Sequence, residues 1–151
     1  MSLSFPDTDR AFHHPGCLGC GVANPQSLGV HLRAEGGRVI GHVQFDRYKE
    51  GAPGFVHGGA VATVLDDALG TIPWLLGQAA VTANLTVDFR APVLLGATVD
   101  IAAWPVRQEG RKIHVAGELR EGETLVAEAT ALFVTVPPEH FKPGAEAVGR
   151  W

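Results

Sequence analysis

The stretch Gly51-Ala-Pro-Gly-Phe-Val-His-Gly-Gly-Ala-Val-Ala-Thr-Val-Leu-Asp-Asp-Ala-Leu-Gly70 decides how the chain is read. Val61, Val64, Leu65, Ala68, Leu69 and Ile72 recur at i, i+3, i+4, i+7, i+8 and i+11, one apolar stripe of a helix. The stripe starts just after Gly58-Gly59 and should run to near Gly77, with Pro73 kinking or closing it. The first N–H groups of a helix lack partners and carry partial positive charge. Glycine there lets a ligand reach the backbone, so the helix start can hold a carbonyl oxygen and the oxyanion it becomes. The plainer alternative is a Gly pair that only makes the turn into a packed helix. Asp66 and Asp67 lie off the stripe on opposite flanks, with Thr63 and Gly70 between them. This small polar face meets either solvent or a partner subunit, and periodicity does not choose between the two acids.

Outward from the helix the pattern has period two. Leu28, Val30, Leu32 and Ala34 alternate as one strand, and Val39, Gly41, Val43 and Phe45 as the next. Glu35-Gly36-Gly37 reads as the hairpin turn between them, and a Gly- and Pro-rich loop spans Asp46 to Val56. Beyond residue 80, Leu85, Val87 and Phe89 face one way, and Thr82, Asn84, Thr86, Asp88 and Arg90 the other. Val99 to Ala103, Ile113 to Leu119 and Leu125 to Val136 follow, with turns at Gln108-Glu109-Gly110 and Glu121-Gly122. The order is two strands, one long helix, then four strands joined by tight turns, which require antiparallel neighbours. One apolar helix needs one apolar sheet face. The expectation is an α+β domain, a single antiparallel sheet around a central helix. It occupies 1–151 as one domain, with 1–16 an irregular arm and 138–151 a loose tail.

Composition narrows the function. At 151 residues the chain can bury enough surface to fold without disulfide or metal. The net charge of −4, with no basic block, argues against nucleic acid as the partner. No apolar run approaches the roughly 20 residues that span a bilayer. The start lacks a basic region followed by an apolar stretch, so the cytoplasm is expected. The two cysteines, Cys17 and Cys20, form a CxxC pair. Zinc would need two more ligands, for which His13, His14 and His31 are candidates, but there is no second CxxC and no spaced His pair. Structural thiols are the expectation, with neither a metal nor a cofactor. Arg107, Arg111 and Lys112 flank a turn, either as a solvated hairpin tip or as cations for ligand phosphates.

The 51–70 segment closely resembles the core motif of hot-dog-fold acyl-CoA thioesterases of the phenylacetate-degradation type. That motif is His-Gly-Gly followed by an acid nine residues after the His, and here the acid is Asp66. Thr82-Ala-Asn-Leu-Thr-Val-Asp-Phe-Arg-Ala-Pro-Val93 resembles the family strand that begins with Ser or Thr and ends in a Pro-containing turn. Cys17-Leu-Gly-Cys-Gly-Val-Ala-Asn-Pro25 is similar to an N-terminal segment of one branch. The likeness runs from about Cys17 to Val136. One departure is that the family usually places Gln or Asn shortly before His-Gly-Gly, where the nearest candidate here is Glu50.

The resemblance implies hydrolysis of acyl-CoA at an interface of a homodimer, or of a tetramer built from dimers. The glycine loop of one subunit then faces the Asp of the other. Gly58 N–H, aided by Gly59, would hold the oxyanion. Asp66 would act as general base or nucleophile. Thr82 would fix the water, and His57 would orient the loop or touch the thioester sulfur. Arg107, Arg111 and Lys112 would meet the CoA phosphates. An acyl-thioester hydratase or dehydratase, and a non-catalytic acyl-CoA binding module, are the rival expectations.

Overall fold

The computed structural model describes residues 3–149. The outermost positions of the expected arm and tail, 1–2 and 150–151, lie outside the described residues. The helix expected from the apolar stripe is α1, Gly58–Leu75, and all six stripe residues are buried. Pro73 does not end it; the chain keeps helical bonding to Leu76 N–H and turns away at Gly77, whose φ of 71° favours glycine. Among the described residues, no helix is long and apolar enough to cross a membrane.

Seven strands form one antiparallel sheet: β1 Thr8–Ala11, β2 His31–Glu35, β3 Arg38–Gln44, β4 Ala80–Phe89, β5 Thr98–Glu109, β6 Lys112–Glu121 and β7 Thr124–Thr135. Their order is β1-β2-β3-β5-β6-β7-β4. The hairpins β2–β3, β5–β6 and β6–β7 turn at the expected glycines, Gly36 and Gly37, Gly110, and Gly122, all with positive φ. α1 packs against β3 to β7. Leu69 of α1 packs over Gly117 of β6, where a Cβ would lie 3.2 Å from Leu69 Cδ2 and 3.0 Å from the Ala102 carbonyl oxygen.

The structure corrects four expectations. The arm is not wholly irregular, because β1 pairs with β2 and buries Ala11. Its sequence, Thr-Asp-Arg-Ala, has no apolar alternation to betray it; backbone pairing alone makes the strand. β2 starts at His31 rather than Leu28, because Leu28 N–H and Val30 N–H donate to Leu18 and Gly19 carbonyls of the arm instead of to a strand. β4 and β5 are not a tight hairpin. β4 pairs with β7 at the sheet edge, and the loop 90–97 carries the chain back past the 50–56 loop to β5 beside β3. The tail forms a 3₁₀ turn, Pro138–Phe141, and a short helix α2, Lys142–Val148, neither of which buries a residue.

Leu69 is fully buried where α1 packs over Gly117. Leu69→Ala should cost about 2–5 kcal/mol in urea unfolding, the range for a buried Leu whose cavity cannot collapse. A loss below about 1 kcal/mol would mean that the helix is not clamped there.

Candidate active site

The loop before α1 is closed by its own bonds. His57 N–H donates to the Lys49 carbonyl at 2.7 Å, and Gly51 N–H to the Phe55 carbonyl at 2.9 Å. Glu50 Oε2 accepts from Gly54 N–H at 2.9 Å, so its carboxylate holds the loop rather than facing the helix start. His57 is the N-cap, extended at φ −62° and ψ 134°, and its Nδ1 accepts from Gly59 N–H at 2.8 Å. His57 thus bonds both to the loop, through Lys49, and to the helix start, through Gly59. An accepting Nδ1 leaves the ring proton on Nε2. The cap also consumes the Gly59 amide, which therefore cannot aid an oxyanion as expected. Gly58 N–H has no hydrogen-bond partner among the described residues. Gly58 lines a groove of about 280 Å³ together with Val56, Val61, Phe89, Pro92 and Val93.

Asp66 stands further along α1, half-buried, and its Oδ1 accepts from the Thr82 hydroxyl at 2.9 Å. Strict alternation would turn Thr82 away from the face that Leu85 uses. A bulge corrects this: Thr82 opposes Phe133 and Asn84 opposes Leu132, leaving Ala83 as the extra residue. The bulge brings Thr82 and Leu85 together on the helix side, where they share a groove of about 460 Å³ with Leu18, Thr63 and Asp66. Thr82 thus engages one oxygen of the Asp66 carboxylate.

The two halves do not meet in one chain. Gly58 and Asp66 are eight residues apart on one helix, roughly 12 Å at 1.5 Å per residue. No single carbonyl can touch the amide and a water held by that carboxylate across such a gap.

Asp67 does not share the polar face as expected. It is buried at 7% exposure, under the arm, with Cys17 and His13 against its carboxylate. Of the three candidate histidines only His13 joins the cysteines; His14 caps a local turn at Gly16, and His31 stacks on His42. Burial works against the His13 imidazolium, but the hydrogen bond and charge of Asp67 outweigh it and hold His13 above its ordinary value. Burial pushes the Cys20 thiol up to about 12. Sequence reading missed Asp67 as a partner of the CxxC because 47 residues separate it from Cys20. The burial of two adjacent acids on different flanks has no local signal.

Arg107, Arg111 and Lys112 lie together at the exposed β5–β6 hairpin. Arg107 Nε donates to Glu109 at 2.8 Å, and Arg111 donates twice to the Thr135 carbonyl. Lys112 pairs with Val134, which pairs with Val81, so the hairpin sits two strands from Thr82.

A single antiparallel sheet on one central helix is the hot-dog fold. The profile of the Thioesterase superfamily matches residues 53–132, and the chain belongs to that family. It is 42% identical over 103 residues to acyl-coenzyme A thioesterase THEM4 of Xenopus laevis, covering 67% of this chain and 46% of that one. The chain thus spans about half the length of this curated relative. A thioesterase superfamily protein of known crystal structure superposes with a TM-score of 0.75 at 30% identity, over 80% of this chain and 60% of the other. A phenylacetic acid degradation-related protein from Ralstonia eutropha JMP134 gives 0.67 at 28% identity, over 76% and 89%.

The adjacent acids should separate in stability measurements. Asp66→Asn, at a half-open position, should stay within about 0.5 kcal/mol of the parent. Asp67→Asn should lose about 1–3 kcal/mol, because it disrupts a buried, hydrogen-bonded charge. Equal losses in urea unfolding would contradict the assignment.

Proposed function

We propose that the chain hydrolyses acyl-CoA thioesters to the free acid and CoA, at a site shared by two copies. The observation that carries this reading is the roughly 12 Å between the unpaired Gly58 amide and Asp66 on one rigid helix. Each is half of a hydrolytic site, and a second copy supplies the missing half. The edge strands support the same reading. β1 is four residues long and carries Asp9 and Arg10, a protected edge. β4 is ten residues long, carries no Lys or Pro, and leaves Phe89 58% exposed. Antiparallel pairing of two β4 strands, centred on Thr86 with Ala83 as the extra residue, sets Thr82 opposite Phe89 of the partner subunit. Phe89 is the ring beside Gly58, 3.6 Å from where a Cβ there would lie. The Asp66–Thr82 half of one copy then faces the Gly58 half of the other. This dimer stands alone or is the unit of a tetramer.

In this site the thioester oxygen sits on Gly58 N–H at the positive end of α1. Thr82 holds Asp66 Oδ1, and Oδ2 takes a proton from water as the water attacks the carbonyl carbon. The tetrahedral oxyanion collapses, the C–S bond breaks, and CoA leaves as the thiol once protonated. Direct attack by Asp66, giving an anhydride that water then opens, uses the same placement. Arg107, Arg111 and Lys112, at the Thr82 end of the sheet, are the proposed contacts for CoA phosphates.

Gly58 offers a clean test. It is the first helical residue, where proline fits, and His57 already has the extended ψ of 134° that precedes proline. Gly58→Pro therefore deletes the amide hydrogen and should lower kcat about 10²–10³-fold. Asp66→Asn should lower it about 10²–10⁴-fold. Mixed subunits of the two variants should recover about a quarter of the wild-type rate, because each mixed dimer rebuilds one of its two sites. Thiol release from an acyl-CoA panel that includes an enoyl-CoA measures all three. Hydration of the enoyl group without thiol release, or no recovery on mixing despite exchange, would overturn the reading.

A further inference from the structure

Four side chains outside the hydrolytic site converge where the arm crosses α1. The ligating atoms of His13, Cys17, Cys20 and Asp67 all lie within 4.8 Å of one another. Asp67 Oδ1 is 3.1 Å from His13 Nδ1 and 3.1 Å from Cys17 Sγ, and Cys20 Sγ is 3.5 Å from His13 Nδ1. Metal bonds of about 2.0–2.3 Å at tetrahedral angles put neighbouring ligands about 3.3–3.8 Å apart. Three of the edges are therefore within a few tenths of an ångström of a four-ligand cage.

The hydrogen bonds around the cluster point the same way. Thr71 Oγ1 donates its one proton to the Asp67 carbonyl at 2.9 Å. The same hydroxyl lies 3.1 Å from His13 Nε2. Asp67 Oδ2 is buried with no hydrogen-bond partner among the described residues. Gly19 N–H donates to Cys17 Sγ at 3.3 Å. The loop closes on the carboxylate only because residue 19 is glycine, since a Cβ there would lie 2.4 Å from Asp67 Cγ. Gly21 is equally confined: a Cβ there would lie 2.4 Å from Cys17 N and from the Pro15 carbonyl oxygen.

We propose that His13 Nδ1, the thiolates of Cys17 and Cys20, and the carboxylate of Asp67 bind a zinc ion that pins the N-terminal arm to α1. Two thiolates with one imidazole select zinc over magnesium or calcium, which prefer oxygen. Four protein ligands close the coordination sphere, so the role is structural. Thr71 is the outer partner that fixes the His13 ring. The pin has a consequence next door: Cys17, Leu18 and Gly19 wall the groove of Asp66, the residue before the ligand Asp67. The metal therefore shapes the groove without touching the reaction. The sequence expectation of no metal counted only Cys and His, and the fold adds Asp67. The proposal does not depend on thioester hydrolysis.

The test is metal binding by the full chain, purified under reducing conditions and offered zinc or cobalt(II). One zinc per chain is expected by elemental analysis. Cobalt should give thiolate charge-transfer absorption with the strong visible bands of a tetrahedral site. Cys17→Ser with Cys20→Ser should abolish the charge-transfer absorption, whereas His31→Ala should keep it. Thr71→Val, close in shape, should weaken zinc about 10–100-fold. A chelator should lower the melting temperature of the wild type and not of the double Cys variant. If the Cys variant fails to fold, the wild-type cobalt spectrum still decides. Absence of zinc at micromolar concentration, bound cobalt without thiolate absorption, or a Cys17–Cys20 disulfide in place of the metal would each overturn the proposal.

Discussion

α1 is a stiff rod of 18 residues, about 27 Å long, and everything else in the molecule is arranged around that rigidity. Its apolar stripe buries six side chains against one sheet face, which fixes its rotation about its axis. With rotation fixed, the start of the helix and its middle open on different grooves. Gly58 lines one and Asp66 the other. A flexible loop could bend to bring two such groups together; a packed helix cannot. In the proposed dimer that separation becomes the reason for a second subunit.

The sheet answers the helix asymmetrically. At one edge β1 is short and charged, with the arm beyond it. At the other, β4 is long, uncharged over most of its length, and exposed. The bulge at Ala83 lies in that open strand and re-aims Thr82 onto Asp66. The edge proposed to pair with another copy is thus also the edge that carries Thr82, so in the proposed dimer pairing and chemistry are coupled through one strand.

A second coupling runs through two neighbouring residues. Asp66 and Asp67 leave α1 about 100° apart. One reaches Thr82 at the groove; the other is buried under the arm among His13, Cys17 and Cys20. The arm segment 17–19 touches both environments, since it flanks Asp67 and lines the Asp66 groove. Whatever holds the arm in place therefore sets the shape of the groove, and the confined glycines Gly19 and Gly21 show how closely that segment is fitted.

The sequence by itself determined the features that arise from neighbouring residues. The i, i+3, i+4 stripe defined α1, and the glycine turns defined three hairpins, because both depend only on backbone geometry and local burial. His57-Gly58-Gly59 and Asp66 were legible through spacing and resemblance. Only the tertiary structure decided the rest. That β4 pairs with β7, that Thr-Asp-Arg-Ala is a strand, and that Ala83 is a bulge depend on partners far along the chain. The loss of the Gly59 amide to His57, and of the Glu50 carboxylate to Gly54, depends on how one loop closes. Asp67 is the sharpest case. On the helix it is a polar residue like its neighbour, and it becomes a buried ligand-type group only because residues 13–20 fold over it. Charge burial is set by what covers a side chain, and covering is a long-range contact that no local pattern encodes.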